Sequence, residues 1–166
     1  MSRTIVCDTG PLLHLSEADA LDLLKLAGDV LIPPSVATEF RHLTSTRKLP
    51  DWAMICRLDR PTNDRVSEWI AKKVIDSGEA EAIGLALQVN CDWFLTDDTQ
   101  ARVFAESLGL EVHGSVGLLL WAVAQGHIDS HEQAQRLLDA LVSSSLWISE
   151  RVIREAAKAI EDLLQE

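Results

Sequence analysis

The chain has 166 residues, 47% of them hydrophobic, and a formal charge of −11. That length suits one domain with a core large enough to need no disulfide or metal staple, and so strong an acidic balance argues against a protein that coats nucleic acid through many phosphate contacts. The three cysteines, Cys7, Cys56 and Cys91, have neither zinc-finger nor redox spacing, no run reaches the ~18 apolar residues of a membrane span, and Asp8 interrupts the N-terminus too early for a secretory signal.

These features predict a cytoplasmic protein with free thiols and no membrane partner. The acidic charge fits carboxylates gathered to bind cations, a basic partner, or an ordinary soluble surface.

In chain order, residues 4–7 are an apolar, partly β-branched run that predicts a buried strand. Thr9, Gly10 and Pro11 break it, and a short helix follows over 12–16, with Thr9 a possible cap and Pro11 in the first turn. A second helix is expected over 18–27, stopped by Gly28. Residues 30–32 form the next strand, closed by Pro33 and Pro34, and Ser35 opens a helix to about Leu43. Residues 44–61 are irregular. Helices follow over 63–75 and 79–89, with a break at Ser77 and Gly78. Residues 93–96 are a strand ending at Asp97 and Asp98, 99–108 a helix stopped by Gly109, and 110–113 a short strand. Helices over 116–125, 131–142 and 149–163 complete the chain.

Strands alternating with helices imply right-handed crossovers and a largely parallel sheet of about four strands. The expected organisation is one α/β domain over 1–166. Its 130–166 helical hairpin is either part of that domain or appended to it.

Ligands bind outside the carboxyl ends of the strands in an open parallel sheet. Asp8 follows the first strand, and Asp97 and Asp98 follow the strand at 93–96. Glu79 opens a helix that starts at the same edge, and Glu39 lies in the first half of another. Four separate segments can therefore send carboxylates to one place. Like charges so gathered need protonation, a basic side chain or a metal. Hard oxygen donors suit Mg²⁺ or Mn²⁺, which can orient a phosphodiester, activate water and neutralise a leaving oxygen. Each acid also has an ordinary use. Asp8 can cap the helix at Pro11, Glu79 can complement a helix dipole, Glu39 can be a solvated helix residue, and one of Asp97 and Asp98 can be a cap.

The segments Ile5-Val6-Cys7-Asp8-Thr9-Gly10-Pro11-Leu12, Gly78-Glu79-Ala80-Glu81-Ala82-Ile83 and Leu95-Thr96-Asp97-Asp98 resemble the PIN-domain superfamily. The likeness is to prokaryotic members related to VapC-type toxins. It continues through Gly109–Gly114, the apolar stretch 117–124, Leu137–Leu141 and Trp147-Ile148-Ser149. The resemblance implies a PIN-like three-layer α/β/α fold with a mainly parallel sheet of four to five strands and C-terminal helices. It implies a metal-dependent ribonuclease, the toxin of a toxin–antitoxin pair, with an RNA substrate, a small antitoxin and a homodimer as partners. Carried over residue by residue, Asp8, Glu39, Glu79, Asp97 and Asp98 are the catalytic, metal-holding set, with Mg²⁺ or Mn²⁺ as cofactor. Glu79 stands where many such toxins have aspartate, and Thr99, Gln100 and Ala101 supply no further acid. Glu81 and Asp76 are secondary candidates.

Arg41, His42, Arg47 and Lys48 can touch RNA phosphates or be a solvated loop. Arg102, one turn after Asp98, can bind phosphate or pair with the acids. His127 and His131 lack any metalloprotease signature. The five tryptophans can stack on bases, but Trp69, Trp93 and Trp121 sit in apolar patterns that suit packing. No phosphate-binding or dinucleotide-binding glycine motif and no nucleophile elbow is present. Two other readings stand beside the nuclease. One is a catalytically inactive PIN-like module that binds RNA or protein. The other is a phosphatase-like enzyme using Asp8 as nucleophile, although Gly10 occupies the position where such enzymes carry a second acid.

Overall fold

Residues 2–165 are described in a computed structural model. The strands Thr4–Cys7 (β1), Asp29–Ile32 (β2), Met54–Ile55 (β3), Trp93–Leu95 (β4) and Val112–His113 (β5) form one sheet in the order β3-β2-β1-β4-β5. All neighbouring pairs are parallel, with Ile5 opposite both Val30 and Trp93 in the centre. Such a sheet is covered by its crossovers, so its central strands read as continuous apolar runs. Ile5, Val6, Ile32, Phe94 and Leu95 are fully buried.

Nine helices are described around it: Thr9–Glu17 (α1), Asp22–Ala27 (α2), Pro34–Leu43 (α3), Arg60–Ala71 (α4), Ser77–Gln88 (α5), Thr99–Ser107 (α6), Ser115–Ala124 (α7), His131–Val142 (α8) and Glu150–Gln165 (α9). The alanine-rich α5 lies close against α4: a Cβ on Gly84 would fall 2.5 Å from Val66 Cγ2. Leu138 and Leu141 of α8 and Ala156 and Ile160 of α9 belong to the same buried cluster as Ile5, Leu95 and Leu118. Each such leucine or isoleucine contributes roughly 1.5–3 kcal/mol by leaving water.

The sheet has one strand more than the four that periodicity suggests. The extra strand, β3, lies in the stretch expected to be irregular. It has two residues, at the edge, and both are exposed, so it leaves no burial pattern in the sequence. Helix ends differ for local reasons. The first helix starts at Thr9, because the Asp8 side chain accepts from the Thr9 N–H. The second starts only at Asp22, because Asp19 has a left-handed backbone (φ 56°). Helix α4 starts at Arg60, capped by Asp59 with Pro61 in its first turn. Ser77 and Gly78 do not interrupt a helix but begin α5.

From β1 the chain moves outward through β2 to β3, then returns to the other side of β1 for β4 and β5. The switch point of the sheet therefore lies between the carboxyl ends of β1 and β4.

Candidate active site

Asp8 leaves β1 at that switch point. Its backbone N–H donates to the Leu95 carbonyl of β4 at 2.9 Å, which fixes the two strand ends together. Its carboxylate is nearly buried and has a donor on each oxygen: the Thr9 N–H on Oδ1 at 2.9 Å, and the Thr96 hydroxyl on Oδ2 at 3.0 Å. Burial still pushes its pKa up from 3.8 to about 7. The bonds from Thr9 and Thr96 oppose that rise, while Glu79 and Glu39 add to it.

Thr96, wholly buried, also accepts the Asp98 N–H at 3.2 Å. Asp98 then caps α6, Oδ1 taking the Ala101 N–H at 2.8 Å. On the other side, the Thr9 hydroxyl donates to Glu39 Oε2 at 2.9 Å. The same Glu39 oxygen lies 3.3 Å from where a Cβ on Gly78 would sit, so Glu39 of α3 faces the first turn of α5. Glu79 stands in that turn, half-buried. Its pKa is raised by burial first and then by Asp98, Asp76 and Glu39.

Asp8, Glu39, Glu79 and Asp98 thus come from four elements and share one open cavity of about 760 Å³. Asp8, Asp98 and Glu79 each sit at a helix N-terminus, whose unpaired N–H groups favour anions locally. That offsets only part of the repulsion. Among the described residues, no lysine, arginine or histidine lies within 4.0 Å of these four carboxylates; the six close pairs involve other acids.

Asp97 lines the same cavity but is held differently. Oδ1 accepts the Ser115 N–H at 2.7 Å. Oδ2 accepts the Ser115 hydroxyl at 2.6 Å and meets His14 Nδ1 at 2.7 Å. It ties the start of α7 to α1. Gly114 makes room for this: a Cβ there would lie 2.9 Å from Asp97 Oδ1.

The donor set fits a hard divalent cation in chemistry: oxygen only, excess negative charge, and two carboxyls, Asp8 and Glu79, whose ionisation is opposed first by burial and then by neighbouring acids. As the side chains stand, no three His, Cys, Asp or Glu groups among the described residues form a ready-made ligand cage.

Arg102 also lines the cavity, its Nη1 donating to the Val112 carbonyl at 3.2 Å. Arg41, Arg47 and Lys48 line a separate shallow depression. His127 and His131 belong to no shared helix: α7 ends at Ala124, and His127 packs against Trp121. Trp93 is buried and stacks edge-on with Trp121, as their apolar patterns predict. Thr9, His14 and Ser115 went unmarked as site residues in the sequence. Their roles depend on hydrogen bonds spanning up to 83 positions, which no local pattern encodes.

A parallel sheet with a carboxylate-lined cleft at its switch point defines the class: an open α/β domain with an acidic site at the carboxyl ends of its strands. The chain belongs to the PIN-domain family: that family's profile matches residues 4–162. Among solved structures, VapC20 of Mycobacterium tuberculosis, described as a sarcin-ricin loop cleaving toxin, is similar in fold. The TM-score is 0.50 at 14% identity, over 60% of this chain and 94% of that one. No curated protein sequence matches the chain. No helix among the described residues is long and apolar enough to cross a membrane.

Proposed function

We propose that this protein is a Mg²⁺- or Mn²⁺-dependent ribonuclease that hydrolyses RNA phosphodiester bonds. Its context would be the cytoplasm, as the toxin of a toxin–antitoxin pair, with a small antitoxin as partner and a homodimer as its assembly. The observation that carries this reading is the meeting of Asp8, Glu39, Glu79 and Asp98 in one cavity without a cationic partner. Membership of the PIN-domain family and the fold shared with an RNA-cleaving toxin support it.

In this reading those four carboxylates hold the metal. Bound there, a divalent ion supplies positive charge to the phosphoryl oxygens and makes water a stronger nucleophile. The chain's own residues do the rest. Thr96 and Thr9 orient Asp8, Glu39 and Asp98 through their hydroxyls. Asp97, its oxygens already engaged, acts as a positioning residue that fixes α1 and α7 as walls of the cleft. Arg102 offers the phosphate a positive charge on the cavity wall.

The test is cleavage of a single-stranded RNA in Mg²⁺, in Mn²⁺ and in EDTA, by wild type and by Asp8→Asn and Asp98→Asn. Activity in metal, lost in chelator and in both variants, is expected. Cleavage that survives chelation or both substitutions rejects the reading. The missing further acid at Thr99, Gln100 and Ala101 favours one alternative, a PIN-like module that binds RNA or protein without cutting. Calorimetry showing no metal binding would support that module.

A further inference from the structure

The cavity has a second wall, built by the segment between α8 and α9. Trp147, in that segment, is 84% exposed and lines the same cavity as Asp8 and Asp98. An indole left in water is costly for a side chain that elsewhere in this protein is packed. Trp93 and Trp121 contact each other, and Trp69 meets Phe104 edge-on at 5.0 Å. Trp147 has no aromatic partner among the described residues.

The segment that presents it is nevertheless pinned on both sides. Ser145 donates to Glu17 of α1 through its N–H and its hydroxyl. The Ser144 hydroxyl donates to the Leu141 carbonyl at 2.6 Å and accepts the Leu146 N–H. Ser149 accepts the Val152 N–H at the start of α9. Leu146 and Ile148, the neighbours of Trp147, are half-buried, and Ile148 packs on the core. The backbone is anchored while the ring between these neighbours is turned outward at the mouth of the cleft.

We propose that Trp147 is the base-stacking platform of the site, on which an unpaired base of a single-stranded RNA lies while the adjoining backbone enters the acidic cavity. The proposal rests on the nuclease reading for the identity of the polymer. Three features favour a nucleic-acid base over a protein surface. Trp147 shares its cavity with the four carboxylates. Arg102, on the same cavity, supplies the charge a phosphate would meet. A flat ring held by an anchored loop needs little further ordering to stack. Aromatic platforms of this kind tolerate any base, because every base has a π face. Recognition at Trp147 would thus select for an unpaired nucleotide, not for a sequence.

The experiment measures binding and cleavage separately. Fluorescence anisotropy of a labelled single-stranded oligoribonucleotide gives Kd in Mg²⁺ on the Asp98→Asn background, with Trp147 retained, Trp147→Ala or Trp147→Phe. Trp147→Ala should raise Kd by roughly 5- to 150-fold, the range of one lost aromatic stack. Trp147→Phe should stay within about threefold of the parent, since a ring remains. The melting temperature should not move, because the ring is exposed. In the Asp98-containing protein, Trp147→Ala should raise KM with little change in kcat.

Equal Kd for Trp147→Ala and its parent overturns the platform, whether or not wild type cuts RNA. The platform also falls if Trp147→Ala changes only the sedimentation of the protein, which would place Trp147 in a contact between copies. Tryptophan-dependent binding without any cleavage by wild type supports the platform and removes the nuclease reading.

Discussion

The hydroxyl of Thr96, 88 positions from Asp8, donates to Asp8 Oδ2 at 3.0 Å and accepts the backbone N–H of Asp98 at 3.2 Å. One buried side chain therefore sets the spacing of two carboxylates at the switch point. Thr96→Val keeps the shape but removes the bridge, leaving an acceptor on Asp8 and the Asp98 N–H without their partner. The expected cost is about 1–3 kcal/mol in urea unfolding, accompanied by weaker Mn²⁺ binding in calorimetry. An unchanged unfolding midpoint would show that the hydroxyl is dispensable.

Asp8 gives the metal-free protein a pH dependence of definite sign. Its folded pKa, about 7, lies above its ordinary 3.8. The folded state therefore holds a proton that the unfolded chain releases, and stability falls as pH rises from about 4 to about 7. At about 1.4 kcal/mol per pH unit, the effect of Asp8 is at most about 4 kcal/mol. Asp8→Asn should flatten this slope and stabilise the metal-free protein at pH 8 relative to wild type. Thermal melts from pH 4 to pH 8 check it; parallel curves for both proteins would refute the assignment.

A divalent cation offsets the negative charge that burial and the neighbouring acids make costly at Asp8. Millimolar Mn²⁺ should raise the melting temperature at pH 8 by several degrees, as binding to the folded state alone requires. The rise should be smaller at pH 5.5, where protons compete for Asp8 and Glu79. Glu79→Gln should reduce the rise at pH 8. A shift equal in wild type and Glu79→Gln would place the ion elsewhere.

Asp97 and Asp98 are neighbours in sequence with different work. Asp97→Asn disturbs the bonds to Ser115 and His14. It should cost about 1–3 kcal/mol of stability while Mn²⁺ affinity stays within about threefold. Asp98→Asn should do the opposite, keeping its cap on α6, since an asparagine oxygen also caps, but lowering Mn²⁺ affinity by about tenfold or more, ~1.4 kcal/mol. Calorimetry beside urea unfolding separates the two. Identical behaviour of the variants would dissolve the distinction.

Much of the fold was written in local signals. The apolar run ending at Cys7, the proline pair after Ile32 and the apolar Trp93–Leu95 run announce β1, β2 and β4, because strands buried in a parallel sheet lack polar alternation. From strand ends alone, Asp8, Asp97 and Asp98 could be placed on one edge, and Glu39 and Glu79 beside them. What sequence could not settle was which oxygens remain available. The close packing of α7 on α1 engages Asp97 with Ser115 and His14, and the parallel pairing of β1 with β4 brings Thr96 under Asp8. Edge strand β3 and the outward turn of Trp147 likewise arise from long-range contacts. Patterns along a chain report burial and local caps. Which side chains meet across dozens of residues is decided only when the core closes and fixes the directions of the elements that carry them.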